Sequence, residues 1–159
     1  KLMSKIFKEA AKFKGTSNVE ILENCVIFQN KIHSLITSKE TKEDNQLILE
    51  AGEPMLYGKD NQKGIVLDRT KLKAVDLGKD GITIDDILIH DPYTTETGIH
   101  MMLASMSPPE LPTAIGVIRA VKAETLEERV WKSVEHAKET SPWSSVDELL
   151  NSGNTWVIK

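Results

Sequence analysis

The spacing of hydrophobic positions changes several times along the chain. Leu2, Ile6, Ala10 and Phe13 recur at near-helical intervals, which predicts a helix over the first dozen residues, stopped by Gly15. No capping residue precedes Leu2, so this helix reads as one already in progress and the chain as a fragment of a longer polypeptide. Val19 and Ile21, then Val26 to Phe28, form short apolar segments on either side of Asn24 and Cys25, predicting a strand that completes an α/β unit. Residues 37 to 52 read as a polar helix. Thr37 and Glu40 form its capping box, Leu47 to Leu49 its modest buried face, and Gly52 with Pro54 its end.

From Met55 to Leu77 the pattern is that of strands. The runs "MLYG", "GIVLD" and "LKAVDL", separated by polar turns, predict an antiparallel meander. Thr94 or Thr95 then caps a helix with Ile99, Met102, Leu103 and Met106 on one face, ended by Pro108 and Pro109. Residues 114 to 121, "AIGVIRAV", are apolar on both faces and read as a buried strand. A second capping box, Thr125 with Glu128, opens a helix with the core stripe Leu126, Val130, Trp131, Val134 and Ala137. Ser145 and Glu148 repeat the device for a short helix to Asn151, with Gly153 after it, and "TWVIK" closes the chain as an edge strand.

Composition narrows the partners. Among 159 residues there are 20 basic and 24 acidic side chains, a net charge of -4 spread along the sequence, which argues against a nucleic-acid or anionic-membrane partner and for proteins or small molecules. A single cysteine excludes an internal disulfide framework and fits a reducing cytoplasm. No apolar run approaches the roughly 20 residues of a membrane span, and no signal-like stretch opens the chain.

Few residues point to chemistry. There is no glycine-rich phosphate loop, no His pair at helical spacing and no nucleophile elbow, and "GKDG" at 78 to 81 reads as a turn. His33, His90, His100 and His136 are scattered, so packing or surface roles are expected of them rather than metal ligation. Met101, Met102 and Met106 are expected in the core. Asp85 and Asp86 read as a helix start, and Asp91 as a turn residue. Cys25, in "ENCVIFQN", leaves three readings open: a small buried hydrophobe, a reactive thiol, or one ligand of a metal centre completed by other residues.

In this order, "KGTSNVEILENCVIF", "EAGEPMLYGKDNQKGIVLD", "ILIHD", "PPELPTAIGVIRAV" and "DELLNSGNTWVI" resemble the C-terminal half of the β subunit of 2-oxoacid:ferredoxin oxidoreductases, most of all the 2-oxoglutarate type. The resemblance covers nearly the whole chain. It implies an α/β fold with an α+β extension: residues 1–30 as the C-terminal edge of a thiamine-diphosphate-binding domain, and residues 31–159 as a C-terminal extension with an antiparallel meander and helices. It also implies an enzyme that decarboxylates a 2-oxoacid, transfers the acyl group to coenzyme A, and passes electrons through a 4Fe-4S cluster to ferredoxin, in complex with an α subunit.

In such a subunit the cluster has three cysteine ligands near the N-terminus and a fourth that precedes a short apolar run ending in Phe, and Cys25 occupies that fourth position. Two departures stand out. Gln29 intervenes between Phe28 and Asn30, where the family often places Asn directly after Phe, and the Gly-Asp-Gly motif that holds thiamine diphosphate and Mg2+ is absent. No catalytic residue is therefore assigned, and the fragment alone is expected to be inactive and to bind none of these cofactors. The alternative reading is a non-catalytic interaction module derived from such a subunit. In either case Trp131, Trp143 and Trp156 are the large aromatic anchors available to a core or an interface.

Overall fold

A computed structural model describes residues 1–156 and 158. The chain forms two compact units, one built from Lys1–Phe13 and Ser17–Lys122, the other from Lys14–Thr16 and Ala123–Lys159.

In the first unit the expected N-terminal helix is present as α1, Leu2–Lys12. The polar helix expected over 37–52 is not. The chain there makes two short pieces, α2 (Ser34–Thr37) and α3 (Lys42–Asn45), and then strand β1 (Gln46–Leu49). Alternation decides the matter: Leu47 and Leu49 are buried while Ile48 between them is 42% exposed, a period of two that a helix cannot supply. Thr37 does not cap a helix; its hydroxyl donates to the His33 carbonyl at 2.9 Å.

The meander forms as predicted. Strands β2 (Leu56–Tyr57), β3 (Lys63–Asp68) and β4 (Lys71–Asp76) make an antiparallel sheet in the order β2-β3-β4. Beside it runs the segment 87–90, tied by Leu88 N to the Ile65 carbonyl at 2.9 Å and by Met55 N to the Leu88 carbonyl at 2.9 Å. Gly64 is needed here: a Cβ in its place would lie 2.4 Å from Ile87 Cδ1. The "GKDG" stretch is the turn after β4, with Gly78 and Gly81 both at φ 79.

Helix α4 (Gly98–Ala104) closes the core, which gathers Leu47, Leu49, Met55, Tyr57, Ile65, Leu72, Ile87, Leu103 and Met106. Met102 packs against this core, but Met101, expected inside, is 66% exposed on the helix's outer face.

Strand β5 (Thr113–Gly116) pairs in parallel with β1, setting Gln46 opposite Thr113 and Leu49 opposite Gly116. The strand expected to reach residue 121 stops at Gly116, where φ is 138. Beyond it the backbone is engaged elsewhere: the Val117 carbonyl faces His90, and Ala120 N donates to the Pro92 carbonyl at 2.7 Å. The chain is thus mixed α/β, with one parallel pair, one antiparallel meander and helices.

The second unit contains α5 (Leu126–Thr140) and α6 (Val146–Leu150). Both predicted caps are present. Thr125 Oγ1 accepts from Glu128 N at 3.2 Å while Glu128 Oε2 accepts from Thr125 N at 2.9 Å, and Ser145 Oγ accepts from Glu148 N at 3.2 Å. A hydrogen bond from Lys14, then the Thr125 amide, hold the Glu128 carboxyl at about 2. The stripe expected to be core is not buried: Leu126 is 80% exposed, and Val130, Trp131, Trp143 and Trp156 all lie on the surface. Thr155 and Trp156 are in no strand, and the rest of the predicted edge strand lies partly outside the described residues. Among the described residues no helix is long and apolar enough to cross a membrane.

Candidate functional site

Cys25 stands on a turn rather than at the end of a buried strand. The backbone pairs Cys25 with Gln29 across a tight reversal, Gln29 N donating to the Cys25 carbonyl at 3.0 Å. The flanks are held as well: Asn24 Oδ1 accepts from His33 N at 3.1 Å, drawing the following loop back onto the turn. Gln29, the residue that departs from the family's pattern, closes the reversal through its backbone, a contact that does not depend on its side chain.

The reversal aims amides at the sulfur. Phe28 N points at Cys25 Sγ from 3.5 Å. The amide of Phe28, then that of Ile27, hold the thiol below its usual range, opposed by slight desolvation and helped by Gln29 N. Cys25 is exposed, which argues against the reading of it as a small buried hydrophobe. The apolar run that led to a strand forms the tip of the turn instead: Val26, Ile27 and Phe28 are 76%, 82% and 90% exposed. Three consecutive large apolar side chains in solvent form an apolar patch next to this thiol in the chain.

Such a group can ligate a soft metal or a cluster, or act as a nucleophile. Among the described residues no group of three or more His, Cys, Asp and Glu side chains is arranged to hold a metal ion, so Cys25 offers one ligand and no more.

The four histidines are scattered in sequence, but two of them are buried and tied to neighbouring stretches of backbone. His90 and His100 are 2% and 4% exposed. His90 Nε2 lies 2.8 Å from the Val117 carbonyl, and His100 Nε2 lies 2.9 Å from the Asp91 carbonyl. Since a carbonyl only accepts, both Nε2 atoms carry hydrogen. Arg119 completes the group. Its guanidinium donates to His100 Nδ1 at 3.1 Å and to the Thr94 carbonyl at 3.2 Å, which requires His100 to be neutral, with Nδ1 as acceptor. Burial pushes His90 below the usual imidazole range, against the opposing pull of its hydrogen bond to the Val117 carbonyl. Both Nε2 atoms are tied to backbone carbonyls and Arg119 is tied to His100 and to the Thr94 and Thr95 carbonyls, so the group is a fastening, consistent with the packing role expected of these histidines. Its only sequence signal was the Asp91–Pro92 turn, which Asp91 makes by accepting from Tyr93 N at 2.9 Å. Asp86 likewise closes a short turn with Thr83, as expected of a local start signal.

Along nearly its whole length the chain is similar to a subunit of an oxidoreductase. That relative is the 2-oxoglutarate oxidoreductase subunit KorB of Mycobacterium tuberculosis (strain ATCC 25618 / H37Rv), 24% identical over 159 residues, or 98% of this chain. The chain spans 42% of the length of this curated relative. No family model matches the chain, and no solved structure matches it.

Proposed function

We propose that this chain is a section of the β subunit of a 2-oxoacid:ferredoxin oxidoreductase acting on 2-oxoglutarate, and that Cys25 is one ligand of its 4Fe-4S cluster. The Cys25 turn carries the reading. A cluster ligand must be a thiolate held at a fixed point, with backbone amides directed at its sulfur and a largely apolar surround that limits solvent. The turn supplies the first two through the backbone of residues 25–29, and Val26, Ile27 and Phe28 beside it are apolar side chains that the rest of the subunit would cover.

The donor set fits one corner of such a cluster. The remaining cysteines come from the part of the subunit outside this sequence, as in the resemblance stated above. When bound, the cluster would supply one-electron storage and transfer; the chain's own residues would anchor the thiolate and direct amides at it. Thiamine diphosphate and Mg2+ do not fit here, because the chain has neither the Gly-Asp-Gly motif nor a cluster of oxygen ligands among the described residues. No catalytic step is assigned to it. Residues 1–30 form the edge of the domain that holds that cofactor, and residues 31–159 form the C-terminal extension, packed against the α subunit or the rest of the β subunit. The subunit works in the cytoplasm, with coenzyme A and ferredoxin as co-substrates.

The test is made on the complete enzyme complex, purified without oxygen, comparing wild type with Cys25→Ser. Iron content and coenzyme-A-dependent reduction of a dye by 2-oxoglutarate are measured for both. The expected result is loss of cluster iron together with activity. Retention of both by Cys25→Ser overturns the ligand assignment, and a wild-type complex with neither iron nor activity favours the non-catalytic interaction module.

A further inference from the structure

The lysines of α1 form a ridge. Lys1, Lys5, Lys8 and Lys12 recur at helical intervals, and at about 100° per residue all four fall within an arc of about 60°. At about 1.5 Å per residue the ridge is about 16 Å long. Leu2, Ile6, Ala10 and Phe13 occupy the opposite face and are partly covered, so the cations point away from the packed side.

These four side chains are exposed, and among the described residues none is in an ion pair. Other lysines of the chain are: Lys14 with Glu128, Lys63 with Asp44, Lys73 with Asp68, Lys79 with Asp76, and Lys132 with Glu124. Glu9, the helix's one carboxylate, flanks the ridge one turn from Lys5 and from Lys12 and is in no ion pair among the described residues, which leaves four cations against one carboxylate on this side. A local excess of positive charge therefore stands on a chain whose net charge is -4.

We propose that this ridge is the docking site for an acidic surface of a partner protein. Charge complementarity selects the occupant. A long polyanion such as duplex DNA, or the plane of an anionic membrane, extends beyond a 16 Å ridge and meets the acidic remainder of the chain, whereas a compact carboxylate patch on a protein does not. There are also no aromatic side chains on the ridge on which bases could stack. The cations are all lysines, hydrated point charges on flexible stems, which suit rapid and salt-sensitive encounter rather than a permanent interface. This inference does not rest on Cys25 and stands or falls separately from the cluster assignment.

The test uses the full chain and a glutamate homopolymer as the acidic probe, with phosphatidylserine vesicles and duplex DNA alongside. Binding to the glutamate probe is expected, weakening at least about tenfold as salt rises from about 0.01 to about 0.15 M and the Debye length falls from about 30 to about 8 Å. Lys5→Glu, Lys8→Glu and Lys12→Glu together remove it. The same positions changed to Gln, which keeps helix propensity, weaken it at least about tenfold with α1 intact by circular dichroism. Lys39→Glu, Lys59→Glu and Lys71→Glu, the same charge change at exposed positions elsewhere, leave it within about twofold. Equal loss in that control, no binding by wild type, or tighter binding to the vesicles or the DNA overturns the proposal.

Discussion

Gly116→Ala tests the parallel pairing that closes the first unit. Two costs add at this position. The backbone has φ 138, a region that residues with a side chain occupy at a cost of about 1–3 kcal/mol. The new Cβ would also stand 2.9 Å from the Leu49 carbonyl oxygen and 3.1 Å from Leu49 Cβ. A backbone carbonyl in a strand cannot rotate away, so overpacking adds about 1–3 kcal/mol and the expected destabilisation is about 2–6 kcal/mol. Gly52→Ala is the matched control. Its φ is 81, but nothing lies within 4 Å of the added Cβ, so only the left-handed backbone cost of about 1–2 kcal/mol applies.

Urea unfolding followed by far-ultraviolet circular dichroism reads both variants. Tryptophan fluorescence would follow the wrong unit, since Trp131, Trp143 and Trp156 all belong to the second. Equal shifts for the two variants, or a loss below about 1 kcal/mol for Gly116→Ala, would refute the close packing of β5 on β1.

Three further outcomes follow from the geometry. His90 is held below its usual range, chiefly by burial, so the unfolded chain takes up a proton first as pH falls; stability is full above about 6.5 and declines as pH drops below it toward the lower folded value. A urea midpoint unchanged between pH 7.5 and pH 5.5 in wild type, or a decline no smaller in His90→Gln, contradicts this. Arg119→Ala strips donors from His100 Nδ1 and from the Thr94 and Thr95 carbonyls, with an expected loss of about 1–3 kcal/mol and faster hydrogen exchange across residues 94–100. Thr125→Ala removes the N-cap of α5 and is expected to weaken that helix by about 1 kcal/mol, seen as lost helicity with the first unit's unfolding midpoint unchanged.

What could be read ahead of the structure follows the range of the interactions. The meander, the Thr125–Glu128 and Ser145–Glu148 caps and the turn at 78–81 are written within a few residues each, and they appear where expected. Helix α1 and its stop near Gly15 are local too. The errors lie where distant segments decide. Leu47 and Leu49 look like a helix face until β5 pairs beside them, and residues 117–121 look like strand until His90 and the Pro92 carbonyl claim their backbone. The apolar run after Cys25 was legible as hydrophobic but not as a turn, because the reversal is made by backbone hydrogen bonds that no side-chain pattern announces. The exposure of α5 and of the three tryptophans was equally invisible, since a periodic stripe records a wish for cover and not its presence.

The pairing of β1 with β5 also sets an order of events in time. Its partners, Gln46 with Thr113 and Leu49 with Gly116, stand far apart in the chain, and the whole meander and α4 lie between them. Closing so long a loop is entropically costly before any contact rewards it, whereas β3 and β4 meet across the turn at Arg69 and Thr70. The hairpin therefore forms early and the parallel pair late. Interactions made late govern how fast the native state is lost rather than how fast it is reached. The parallel pair is thus the fastener that sets the lifetime of the folded unit, and the meander sets its speed of assembly.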